Sequence, residues 1–74
     1  MAEIELESTV TGVVWKLAAL PGQQVSIGDP VVIVESMKME IPVEATVDGR
    51  VAELLVAAGD QITENKPVAI LEVA

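Results

Sequence analysis

Few side chains in this chain of 74 residues can do chemistry unaided, because histidine, cysteine and tyrosine are all absent. Ser8, Ser26 and Ser36 therefore have no imidazole to take their protons, and the usual transition-metal ligands are missing too. Two features remain, both in the run Glu35-Ser36-Met37-Lys38-Met39-Glu40. Lys38 is a primary amine that can be acylated, flanked by methionines whose flexible thioethers suit varied apolar surfaces. Glu35 and Glu40 read as solvated charges rather than as a catalytic pair, so no catalytic residue is expected.

A hairpin is what would position Lys38. With Met37-Lys38 as a two-residue turn, paired positions sum to 75. Val34 then faces Ile41 and Val32 faces Val43 on an inner apolar side, while Glu35 faces Glu40 outside, near Ile33, Pro42 and Glu44. A slip of one residue would send the apolar set outward, which fixes the register. Met39 is turned inward by the same register, so packing competes with recognition as its role. The turn chemistry is unusual, since such hairpins favour Asn-Gly or Asp-Gly and Met-Lys is neither. Something other than backbone ease selects these two residues.

The hairpin sits at the break in a repeat. Shifting the sequence by 37 residues matches Gly12–Glu35 with Gly49–Glu72 without a gap, with nine identities in 24 positions. Glycines and prolines recur in register (Gly12/Gly49, Gly22/Gly59, Pro30/Pro67), so turns fall at equivalent places in two interleaved halves. Gly12, Gly22, Gly49 and Gly59 all read as turn residues. Half of the apolar residues are Val or Ile, which suit pleated strands. Strands are expected over 3–10, with Ile4, Leu6, Ser8 and Val10 on one face, and near 31–36, 39–45 and 68–73. In 51–58, Val51, Leu54, Leu55 and Ala58 have helical spacing, but the repeat partner ending in Pro21-Gly22 argues for strand. Trp15, whose repeat partner is Ala52, reads as packing in preference to contact with a bound group. The expected fold is an all-β barrel or sandwich.

Glu35-Ser36-Met37-Lys38-Met39-Glu40 resembles the attachment motif of biotinyl domains, the biotin carboxyl carrier family. The likeness extends to the repeat, Pro42, the Asp48-Gly49 and Gly59-Asp60 turns and the 36 residues after Lys38. It implies one biotinyl domain over 1–74, a flattened barrel of two four-stranded antiparallel sheets with internal twofold pseudosymmetry, and biotin amide-linked to Lys38 at one end. The first half has no residues to spare for the inserted thumb of some carriers, so this resembles the thumbless type. The resemblance implies three partners. A biotin protein ligase activates biotin as an adenylate that the neutral Lys38 amine attacks, with Met37 and Met39 helping the ligase and other partners read the hairpin. Biotin carboxylase and carboxyltransferase sites then exchange a carboxyl group through the biotin. Related lipoyl domains usually carry Asp-Lys-Ala at the tip, so methionines on both sides favour biotin over lipoate. The same fold also occurs as an unmodified interaction module in membrane-efflux adaptors, generally without a Met-Lys-Met tip.

Charge and composition narrow the partners further. A net charge of −8 repels phosphate backbones and anionic bilayers, so neither nucleic acid nor membrane is an expected partner. The longest apolar run, 54–58, is far short of the roughly 20 residues that span a bilayer. The acidic, alternating opening from Met1-Ala2-Glu3 is unlike a signal peptide and suggests a native N-terminus. With no cysteine, a cytoplasmic location is the expectation.

Overall fold

Eight strands follow one another in the computed structural model, which describes residues 2–74 and leaves Met1 outside the described residues. They are β1 Glu3–Glu7, β2 Gly12–Leu17, β3 Gln24–Val25, β4 Pro30–Ser36, β5 Met39–Glu44, β6 Gly49–Leu54, β7 Gln61–Ile62 and β8 Pro67–Val73. All pairs are antiparallel, and the strands form two four-stranded sheets, β1-β8-β6-β3 and β5-β4-β2-β7. Adding four to each strand number, with β5 to β8 returning to β1 to β4, turns one sheet into the other. The 37-residue repeat is therefore a structural twofold.

The core obeys the same rule. Among the described residues fifteen apolar side chains and Ser8 are buried, and each has its mate 37 residues away also buried: Leu6 with Val43, Val14 with Val51, Val25 with Ile62, Val34 with Leu71, Ser8 with Ala45 and so on. Cross-half hydrogen bonds repeat likewise. Gly22 donates to the Val51 carbonyl and Gly59 to the Val14 carbonyl, each at 2.7 Å.

The helical spacing in 51–58 has a local cause. Val51 pairs with Leu71 and Glu53 with Ile70, leaving Ala52 as a bulged extra residue that resets the alternation. Val51 and Leu54 then both face inward, three residues apart, along one strand. β1 ends at Glu7 rather than at residue 10. There Ser8 Oγ donates to the Val10 carbonyl at 2.6 Å and accepts from its N–H at 3.3 Å, a local bond that draws the chain out of the sheet. The expected inner face survives, with Leu6 and Ser8 buried and Ile4 and Val10 half-buried.

Gly22 and Gly59 are turn glycines with φ of 89° and 94°. Gly12 and Gly49 are not, contrary to the expectation, since both begin strands. A Cβ on Gly12 would stand 2.3 Å from the Glu35 carbonyl oxygen, and one on Gly49 would stand 2.1 Å from that of Glu72. Close backbone approach, not turn geometry, is why glycine recurs there. Gly49→Ala should therefore act as overpacking against rigid backbone, costing about 1–3 kcal/mol. Thermal melts should fall by about 4–8 °C for each kcal/mol, and a melting temperature equal to wild type would contradict this reading.

Candidate functional site

The β4–β5 hairpin carries Lys38 and forms in the expected register. Val34 pairs with Ile41, Val32 with Val43, Ile33 with Pro42, Glu35 with Glu40 and Ser36 with Met39. Val32, Val34 and Val43 are fully buried and anchor the base of the hairpin. Ile41 is only half-buried, although Ile4, its repeat mate, packs against the core. Met39, expected on the inner face, is 64% exposed. The inward side of these pleats is apolar by pattern, but Ile41 lies on the edge strand β5, while its partner Val34 on the inner strand β4 is fully buried, and Met39 is in the last rung before the turn.

At the tip, Met37 and Lys38 have φ of 51° and 67°. Two successive positive φ values make this the type I′ geometry that matches strand twist and normally calls for Asn-Gly. A left-handed conformation costs an L-residue with a Cβ about 1–2 kcal/mol, and both tip residues bear it. Met37 is 93% exposed, so its side chain recovers nothing through packing. Lys38 is exposed and makes no ion pair among the described residues, the one salt bridge being Arg50 Nη2 to Glu72 Oε1 at 2.8 Å. Acylating its amine would break no ion pair. Of the other basic residues, Lys16 is on β2, Arg50 on β6 and Lys66 in the β7–β8 link.

Glu35 and Glu40 face each other across the ladder, both exposed, and the structure closes no cleft over them. Like charges directly opposite are mildly destabilising. In the other sheet Glu72, the repeat mate of Glu35, lies opposite Arg50. The position equivalent to Arg50 is Val13, which pairs with Glu35 and is exposed. The mismatch of Val13 with Arg50 in the repeat is the sequence signal of this difference. Trp15 is also corrected: it is 49% exposed and is the bulged residue between Val14 and Lys16, as its mate Ala52 is in β6, and the bulge turns it out of the core. No group of acidic side chains among the described residues could hold a metal ion.

A family profile described as Biotin-requiring enzyme matches residues 5–71. A search of curated protein sequences gave no match. Among solved structures, urea carboxylase from Kluyveromyces lactis is similar over 97% of this chain, with 38% identity and a TM-score of 0.92. A single-chain, multi-domain long-chain acyl-CoA carboxylase is similar over 97%, with 25% identity and a TM-score of 0.90. The chain spans 6% and 7% of the length of those two proteins.

Strain at the tip gives a direct prediction. Met37→Asn places at a left-handed position a residue that tolerates it, so stability should rise by about 1 kcal/mol. Denaturant melts of the two proteins test this, and an unchanged or lower midpoint would mean that Met37 carries no strain.

Proposed function

This chain belongs to the biotin-requiring enzyme family, and from that premise we propose that it is a biotin carboxyl carrier whose attachment residue is Lys38. The observation that carries the reading is the exposed Met37-Lys38 turn, held in a costly backbone geometry by a fully buried base. The likeness to two carboxylases supports the carrier role, and the methionines on both sides of Lys38 support biotin over a lipoyl group.

In this reading the chain supplies geometry and one nucleophile. A biotin protein ligase grips the hairpin through Met37 and Met39 and takes the proton from Lys38. The neutral amine nitrogen, Nζ, then bonds to the activated carboxyl carbon of biotin and gives up a second proton to solvent or the ligase, and the activating group leaves with the electron pair of the bond that breaks. The positive charge of Lys38 is lost in forming the amide, which costs little because the side chain is solvated and unpaired. When attached, biotin supplies a ureido ring that takes up and gives away a carboxyl group. Lys38 holds that ring out from the barrel, where biotin carboxylase and carboxyltransferase sites can receive it in turn. The chemistry of transfer belongs to those partners.

Co-expression with a biotin ligase should add the mass of one biotinyl group to the chain. Lys38→Arg should abolish that added mass and avidin binding while leaving the thermal melt unchanged, and avidin binding retained by the variant would refute the assignment. In a side-by-side assay, biotin ligase should modify the wild type efficiently and lipoyl ligase poorly, with Met37→Asp plus Met39→Ala shifting the preference towards lipoate. Efficient lipoylation of the wild type would overturn the cofactor choice and leave the attachment residue standing.

A further inference from the structure

The 37-residue shift also maps two surface grooves onto each other. One lies beside the lysine hairpin, between β2 and β7, and is lined by Thr11, Gly12, Val13, Gln61, Ile62 and Thr63. Its counterpart, at the pole where the chain ends meet, is a pair of adjoining hollows lined by Gln24, Ser26, Asp48, Gly49, Arg50 and Glu72, with Ala74 on the rim.

Folding asks the same of both grooves. Gly12 and Gly49 let the backbones close up, as described above. Thr11 Oγ1 accepts a hydrogen bond from the Glu64 N–H at 3.0 Å, and its mate Asp48 accepts one through Oδ1 from the Ile27 N–H at 2.9 Å. The acceptor is thus kept and its charge removed. Likewise Arg50, which forms an ion pair with Glu72, is replaced by the neutral Val13, which lies opposite Glu35. The surface by the chain ends is lined by two anions, Asp48 and Glu72, and a cation, Arg50, whereas the groove by Lys38 is lined by neutral side chains alone. Fold stability does not explain the difference, since both versions satisfy the same backbone.

We infer that the neutral groove is a resting site for the ureido ring of biotin carried on Lys38, an inference that rests on the carrier reading above. The chemistry matches: Val13 offers an apolar wall to the thioether ring, and the Gln61 amide offers both a donor and an acceptor to a cyclic urea, which has one carbonyl and two N–H groups. Thr63 adds a hydroxyl at the rim. The groove volume, about 440 Å³, is within the range of small-molecule sites. Reach is sufficient too. β2 is next to β4 and β7 is next to β2, so the groove is one to two strand spacings of about 4.8 Å from the hairpin strand, less than the lysine side chain and the acyl chain span together. A ring on so short a tether has an effective concentration on the order of millimolar. Weak contacts therefore suffice to dock it and still let it leave.

Amide chemical shifts of the intact chain, compared before and after biotinylation confirmed by mass, test this. Shifts are expected at residues 11–13 and 61–63 as well as at 37–39, with nuclear Overhauser contacts between the ring and the Val13 methyl groups. Val13→Arg, which restores the cation of the opposite groove, should still be biotinylated and should lose the shifts at 11–13 and 61–63. Shifts confined to the hairpin of a wild-type protein that carries the added mass would overturn the resting site and leave the carrier reading intact. Absence of the added mass would sink both. Shifts at the groove that survive Val13→Arg unchanged would also overturn the inference.

Discussion

Each half of the chain completes the other's sheet, and everything else in the structure depends on that exchange. β3 of the first half pairs only with β6 of the second, and β7 of the second pairs only with β2 of the first. Neither half could bury its inward Val and Leu side chains alone, so the core exists only as a joint product of both. This is why the sixteen buried residues among those described occur as mates 37 positions apart. A change on one inner face is felt by strands from both halves.

That shared core permits strain at the tip. A Met-Lys turn with both residues left-handed would be a poor start for an isolated hairpin, but Val32, Val34 and Val43 hold the strands in register from below. Symmetry inside the barrel goes with asymmetry outside it. The interior is constrained by packing, where a volume change of one methylene is felt, and solvent-facing positions are free to differ. Val13 against Arg50 and Thr11 against Asp48 are surface differences laid over one backbone, whereas the facing pair Glu35 and Glu40 recurs in the other sheet as Glu72 and Glu3.

Much of this was legible in the sequence, for physical reasons particular to each residue. The hairpin register could be read because period-two burial at Val32, Val34 and Val43 leaves a slipped alternative with its apolar set in water. The strand at 49–54 could be read through its repeat partner, although the bulge at Ala52 imitates helical spacing. Depth of burial was less legible. Alternation tells which side of a pleat Met39 and Ile41 occupy, not that β5 is an edge strand or how close each residue lies to the end of the ladder. Trp15 was misread because a bulge is a backbone event with no residue signature of its own. Gly12 and Gly49 looked like turn residues because sequence shows that a side chain is missing, not whether φ or a neighbouring carbonyl requires it.

The chain ends meet at the pole opposite Lys38, where the Val73 N–H donates to the Ala2 carbonyl at 2.8 Å and β1 lies beside β8. In mechanical terms the two poles are unlike. Pulling the two ends apart would load the β1–β8 hydrogen bonds one after another from the pole inward, as a zipper opens, because those bonds lie across the strands. Tension between Lys38 and either end would instead run along the strands of a body 36 Å long and 17 by 16 Å across. The ladder then bears it in shear, with many bonds sharing the force at once. The barrel is stiff along the direction in which a load on its lysine would act and yields most easily where its own backbone enters and leaves.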